Sequence, residues 1–118
     1  MYKIEELEKI KDTPEKITYK FANKGNEWAL IDLKEGAVAG EHYHKGMSDI
    51  KNPEMLVQIS GKAEYLFKDL KSSKSEKVVV KSPNIIKINP NVYHEVKAME
   101  DIILLEQYDD SGDKFELT

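Results

Sequence analysis

From Ile17 to Leu105 the chain is written in short apolar runs, each closed by a turn signal. That rhythm confines it to a β architecture. Ile17-Thr18-Tyr19-Lys20-Phe21 alternates, Asn23-Lys24-Gly25-Asn26 turns it, and a second run from Trp28 to Leu33 stops at Lys34-Glu35-Gly36. Met55 to Ile59 and Ala63 to Phe67 flank the turn Ser60-Gly61-Lys62. Val78 to Val80, Ile85 to Ile88, Tyr93 to Val96 and Ile102 to Leu105 complete the set. The polar Ser/Lys-rich stretch from Lys68 to Lys77 reads as an exposed hairpin loop. Many short strands and little helix predict an all-β sandwich or barrel.

The two ends break the rhythm. Ile4, Leu7 and Ile10 are spaced by three, with Glu5 and Lys9 set to pair outside them. This spacing predicts one face of a short N-terminal helix, or else a charged lead-in, closed by Pro14. The expected organisation is a helix or arm over 1–15, a barrel over 16–110 and a polar tail over 111–118 that is frayed or edge-bound.

Composition narrows the function. A chain of 118 residues makes one domain. Its net charge of −4 implies no basic patch, so nucleic acid is not expected as a partner. All 18 basic residues are lysine, which disfavours recognition by a bidentate guanidinium fork. The absence of cysteine excludes disulfides, thiolate metal sites and cysteine nucleophiles. Nothing reads as a signal peptide or membrane span, so a soluble cytoplasmic protein with no membrane partner is expected.

The chain has three histidines, and two of them form His42-Tyr43-His44. On a strand, side chains two apart share a face, so both imidazoles can reach one point while Tyr43 faces away. Two imidazoles supply half a coordination sphere for a divalent transition metal. Gly36 precedes His42 as Gly-x5-His-x-His, Glu54 precedes Gly61 as Glu-x6-Gly, and Ile88-Asn89-Pro90-Asn91-Val92-Tyr93-His94 follows.

In these motifs the chain resembles the cupins, small single-domain RmlC-like proteins. Their first motif reads Gly-x5-His-x-His-x3/4-Glu-x6-Gly and their second Gly-x5-Pro-x-Gly-x2-His-x3-Asn. The resemblance spans roughly Trp28 to Tyr108. It implies a cupin-type double-stranded β-helix, a jelly-roll barrel, with one divalent metal held by His42, His44, Glu54 and His94. Fe, Mn, Ni, Co and Zn all suit such a donor set.

The departures are specific. Nine residues, KGMSDIKNP, separate His44 from Glu54 where the family has three or four. They are loop formers, so a longer hairpin absorbs them and leaves Glu54 on its strand. Asp49 is the rival carboxylate within that loop. In the second motif Pro83, Asn89, Asn91 and Ala98 replace family residues; of these Asn91 tolerates the left-handed conformation a turn needs. Glu95 should face away from His94, and Glu106 is expected to face solvent.

A site of this kind implies a metal-dependent enzyme for a small oxygenated substrate, a sugar or oxo-acid. The reaction divides between isomerase, epimerase or lyase chemistry and dioxygenase chemistry. His42, His44, Tyr65 and Tyr108 are the catalytic candidates, although ordinary core packing is the favoured account of the two tyrosines. A narrower resemblance, carried by His42-Tyr43-His44-Lys45, Ser82-Pro83-Asn84, Tyr93-His94-Glu95 and Tyr108-Asp109-Asp110, is to the nucleotide-sugar 3,4-ketoisomerase branch. It implies metal-independent acid/base work by His42 or His44. That branch carries an arginine just before the histidine pair, where this chain has Ala39. Diphosphate binding would fall to Lys45 or Lys62. A third reading is a ligand-binding cupin without turnover. The exposed edge of such a barrel predicts a homodimer, with Ile17–Phe21 as the candidate exchange strand.

Overall fold

Alternation of apolar and polar residues along each run becomes alternation between a shared core and solvent. A computed structural model describes residues 1–118. The strands are β1 (Glu8–Asp12), β2 (Lys16–Asn23), β3 (Asn26–Leu33), β4 (Val38–His42), β5 (Glu54–Ser60), β6 (Lys62–Asp69), β7 (Ser75–Lys81), β8 (Asn84–Ile88), β9 (Val92–Ala98) and β10 (Ile102–Gln107). One sheet runs β1-β2-β3-β10-β5-β8 and the other β4-β9-β6-β7, with antiparallel pairing throughout. The core lies between them. Leu33, Leu56, Ile102 and Leu104 from the first sheet meet Ala63, Tyr65, Val96 and Ala98 from the second. Each fully buried leucine or isoleucine contributes about 1.5–3 kcal/mol.

This is the two-sheet jelly roll of the cupins. Of the two N-terminal alternatives, helix or arm, the arm forms. No helix forms near the N-terminus, and the sole helical element is a 3-10 turn at Asp49–Lys51. Glu8–Asp12 is instead an edge strand on β2. Ile4, Leu7 and Ile10 have the helical spacing, but all three stay exposed, with no apolar surface to lie on. A short helix without a docking face does not sustain itself, whereas pairing with β2 satisfies the backbone at once. The Ile17–Phe21 segment is paired on both sides, by β1 and β3, so it is not an edge; the sheet edges are β1 and β8 in one sheet and β4 and β7 in the other. No helix is long and apolar enough to cross a membrane.

The same alternation positions polar groups. In β5, Glu54, Leu56 and Gln58 all face inward. Gln58 is fully engaged. Its amide donates to Gly61 O at 3.1 Å and Val80 O at 3.0 Å, and its Oε1 accepts from the Tyr65 hydroxyl at 2.8 Å. In β9, His94, Val96 and Ala98 face inward. Glu54 and His94 are therefore carried to one end of the barrel by the pleat that packs the core.

Candidate metal centre

His42 ends β4 and lies directly across from His94 of β9. A bulge makes this pairing. Gly40 pairs with Glu95 and His42 with His94, while Glu41 is left over. Gly40 and Glu41 both take positive φ, +88° and +61°. A Cβ on Gly40 would lie 2.9 Å from the His94 carbonyl oxygen, so only glycine lets the two backbones close this far. His44 lies two residues beyond His42. Between them Tyr43 turns outward, bridging Phe115 through backbone hydrogen bonds of 2.9 Å in each direction.

The ring centres of His42 stand 4.8 Å from those of both His44 and His94, and His44 is 5.5 Å from His94. One ligand atom from each of His42, His44, Glu54 and His94 lies within 4.8 Å of all the others. Asp49, the rival carboxylate, is exposed on the 3-10 turn and outside this group. The long insertion is accommodated as a capped loop, with Ser48 Oγ accepting from Ile50 N–H at 3.3 Å. Glu95 faces the opposite side and accepts from the Tyr93 hydroxyl at 2.7 Å.

All three imidazoles are oriented alike. His42 Nδ1 donates to Gly40 O at 2.9 Å and His94 Nδ1 to Val92 O at 3.1 Å. His44 Nδ1 donates to the backbone carbonyl of Asp113. This assignment of the ring protons leaves every Nε2 as a lone pair facing inward, the arrangement that metal-bound histidines adopt.

The electrostatics are tightly coupled. Glu54 Oε2 is 2.6 Å from His44 Nε2 and 3.0 Å from Lys51 Nζ, and its Oε1 is 3.4 Å from His94 Nε2. Burial alone would raise the Glu54 carboxyl, but His44, His94 and Lys51 outweigh it and hold it far below the carboxylate range. Burial, helped by the neighbouring His94 and His44, pulls His42 down to about 4. Burial pulls His44 down as well, yet Glu54 and the Asp113 carbonyl overcome it and leave His44 raised. Lys51 behaves similarly. Burial opposes its charge, while Glu106 and Glu54 hold its ammonium above the ordinary value.

A divalent cation fits these donors. His44 Nε2 and Glu54 Oε2 are close and buried, but neither makes a hydrogen bond of acceptable direction, and the one ion-pair partner of Glu54 Oε2 besides His44 is Lys51. The His44 nitrogen in particular would carry a penalty in a closed core. A shared cation satisfies both, and three neutral imidazole nitrogens with one carboxylate suit first-row divalent metals.

A cavity of about 370 Å³ opens on the four side chains. Lys16, Lys51, Glu106 and Tyr108 line it, and Asp109, Asp110, Gly112, Asp113 and Lys114 form one side. Tyr108 is thus a wall of the cavity, with the Lys20 ammonium 4.5 Å from its ring centre. Tyr65 is not on the wall. Its hydroxyl bonds Gln58 within the core, and burial raises its pKa well beyond the usual phenol range. Glu106 corrects the expectation of a solvent-facing residue. It shares the inward face of β10 with Ile102 and Leu104, and that phase was the signal for it. Burial, with Glu54 nearby, raises its carboxyl, while Lys51 and Lys16 act in the opposite direction.

Asp113 carried no sequence signal. It is buried, and its carboxylate accepts from the backbone N–H of Lys45 at 2.7 Å, Met47 at 2.8 Å and Ser48 at 3.2 Å. One tail residue therefore caps the insertion loop through its side chain and orients His44 through its carbonyl. The asparagine turn before His94 also proves structural. Asn91 takes φ +64°, and its N–H donates to His44 O at 2.7 Å.

No described family model and no curated protein matches the chain. Solved structures do. The capsular polysaccharide assembling protein CapF from Staphylococcus aureus gives a TM-score of 0.76 at 16% identity, over 97% of this chain and 32% of CapF. CapF with the inhibitor 3-isopropenyl-tropolone gives 0.75 at 16%, over 95% of this chain and 34% of that one. Bacillus subtilis oxalate decarboxylase, in a structure concerned with its Mn(II) centres, gives 0.70 at 20%, over 93% and 30%. The chain spans about a third of the length of these proteins. At such identities the likeness establishes the fold.

Proposed function

With the cupin fold as premise, we propose that this chain binds one divalent transition metal, Fe, Mn, Ni, Co or Zn, through His42, His44, Glu54 and His94. We further propose that it acts there on a small oxygenated substrate, a sugar or an oxo-acid. The observation that carries this reading is the convergence of four donor atoms within 4.8 Å, with every Nδ1 already engaged by a backbone carbonyl. On an ion that takes five or six ligands these four residues would leave positions free toward the cavity, the pattern of a working site, whereas a tetrahedral ion would be fully enclosed by them. A metal bound there supplies Lewis acidity for a carbonyl or paired oxygens and, in the case of iron, redox chemistry.

The chain's own residues do the rest. The three backbone-pinned rings hold their lone pairs in place without rearrangement. Glu54 would neutralise part of the charge of a cation held there. Tyr108 and Glu106 on the cavity wall can hold a proton beside a bound substrate. The structural relatives, a capsular polysaccharide assembling protein and an oxalate decarboxylase, are compatible with isomerase, epimerase, lyase or oxidative chemistry on such substrates. A homodimer accompanies this reading.

Metal-stripped protein titrated calorimetrically with Mn(II), Fe(II), Co(II), Ni(II) and Zn(II), then assayed with and without chelator, tests the proposal. Turnover that survives chelation would favour acid/base work by His42 or His44 alone. Tight uptake with no turnover on any substrate would favour a binding protein.

The pH dependence follows from the shifted histidines. In the metal-free protein His44 is raised above its ordinary 6.5, so a cation must displace its proton. His42, at about 4, is already neutral at mildly acidic pH and adds no competition there. Metal affinity should therefore fall as pH drops through the raised His44 value, by about tenfold per unit for one proton. The metal-free fold responds in two senses. His44, raised, contributes stability that is present below 6.5 and lost as pH rises through its folded value. His42, depressed, contributes stability that is present above 6.5 and lost as pH falls toward about 4. A metal affinity that is flat between about pH 5 and about pH 8 would contradict the proton competition.

A further inference from the structure

The outer faces of the two sheets are unlike. On the β4-β9-β6-β7 sheet the pleat sends Glu64 and Lys68 of β6 and Glu95 and Lys97 of β9 outward, and water suits them. On the six-stranded sheet the side facing away from the core is apolar. Tyr19, Leu30, Leu105, Val57 and Ile85 lie directly beside one another across β2, β3, β10, β5 and β8, in one uninterrupted row. Phe21, opposite Trp28, widens the row on one side and Ile103 on the other.

Nothing in this chain covers that face. The second sheet packs on the inner side, and the tail from Asp109 to Lys114 turns to the cavity. Residues 1–7 form no strand, and Met1, Tyr2, Ile4 and Leu7 are exposed. The row is half-buried only through its own neighbours, and Ile85, on the edge strand β8, is 58% exposed. A strand residue occupies roughly 16 Å² of sheet, ~3.4 Å along the strand by ~4.8 Å across. Six strands of five to eight residues therefore present about 640 Å². A contiguous apolar patch on a monomer rarely exceeds a few hundred Å². Two such faces enclose about 1,300 Å², within the roughly 1,200–2,000 Å² of a specific interface.

We propose that this face is the twofold contact of a homodimer, each copy laying the outer side of its six-stranded sheet on that of the other. The inference gives the homodimer proposed for this chain its interface and is independent of the metal centre. A second copy is the occupant that the charges favour. The row holds no charge, so two copies bring no like charges together there. Lys9 and Lys87 stand on the outermost strands, and Asp32 is already paired with Lys34 at 3.0 Å. Edge pairing through β1 is opposed by comparison. Centred on Ile10, an antiparallel twofold sets Lys9 against Lys11 and Glu8 against Asp12.

Sedimentation equilibrium of the full chain over a micromolar concentration series tests the interface. Leu105→Lys, in the middle of the row, and Ile85→Lys, at its exposed end, are compared with Val79→Lys on the outer face of β7 and Ile10→Pro on the β1 edge. Wild type is expected to be a dimer. Each substitution enters a twofold contact twice, so Leu105→Lys should raise the dimer dissociation constant at least about 100-fold. Ile85→Lys starts from an exposed position and spares the fold, so it decides the matter if Leu105→Lys does not fold; it should raise the constant at least about tenfold. Val79→Lys and Ile10→Pro should stay within about twofold of wild type. A dimer unchanged by Ile85→Lys overturns this interface and leaves the homodimer standing. Weakening in Ile10→Pro alone does the same and moves the contact to the β1 edge. A wild-type chain that is monomeric throughout the series overturns the homodimer itself.

Discussion

Replacing His94 by alanine is expected to strip the divalent metal from the protein while the barrel stays folded. His94 is buried opposite His42, and its Nε2 faces Glu54 Oε1 at 3.4 Å. Losing one of four ligands should weaken retention at least about 100-fold, more than the 10–100-fold typical of outer-shell changes. The fold should lose only about 1–3 kcal/mol, because the ring sits at the cavity end rather than at the centre of the apolar cluster. His42→Ala should behave alike. Glu54→Gln removes the one anionic donor and leaves Lys51 buried without its closest partner, so metal retention should fall steeply. Asp49→Asn, on the exposed turn, should change it by less than about twofold. Metal content of the purified variants checks the series. Full stoichiometry in both histidine variants would contradict the ligand assignment, and a larger loss in Asp49→Asn than in Glu54→Gln would move the fourth ligand into the loop.

Gly61→Ala is expected to destabilise the fold by about 3–5 kcal/mol, a large part of the roughly 5–15 kcal/mol that holds a domain of this size. Gly61 turns β5 into β6 at φ +85°, where any side chain is strained. A Cβ there would also lie 2.4 Å from Asp101 O and 2.5 Å from Ile102 Cγ2, at the head of the buried strand β10. Its carbonyl accepts from Ser82 N–H and from Gln58 Nε2, so a shift of the turn disturbs the Gln58–Tyr65 pair as well. Gly36 provides the contrast. It too has φ +85°, but a Cβ there meets nothing within 4 Å, so Gly36→Ala should cost only about 1 kcal/mol. Thermal unfolding distinguishes them, with a fall of roughly 10–20 °C for Gly61→Ala and about 3–6 °C for Gly36→Ala. Equal falls would mean that the close approach to Asp101 is not what fixes Gly61.

Those two glycines show how the site could be read in the sequence. The spacing Glu-x6-Gly fixes Glu54 relative to a turn that admits no side chain, so a spacer lengthened to nine residues before it cannot shift its phase on β5. The inward set Glu54, Leu56, Gln58 then follows from the pleat alone. His42 and His44 were legible as a same-face pair. The bulge at Glu41, which aligns His42 with His94, was not, because a bulge depends on the facing strand. The N-terminal segment misleads for a related reason. Its spacing of three satisfies the helical period, but pairing with β2, not period, decides its backbone.

Charged residues were the hardest to place. Lys51 sits in a loop rich in turn formers, where no periodicity marks which side chain folds inward. Asp113 reaches residues 65 to 69 positions away, a contact that no local pattern encodes. Glu106 was within reach of the alternation argument, in phase with Ile102 and Leu104, yet its charge argued for solvent. Its burial becomes intelligible only beside Lys51 and Lys16, which are contributed by distant segments of the chain.

The most direct test of the shared cation is elemental analysis of untagged protein purified without added metal and then dialysed against the five candidate ions in turn. One equivalent of a single divalent metal per chain, lost on replacing His94, is the predicted result. Protein that comes out metal-free and stays so after exposure to all five would contradict it.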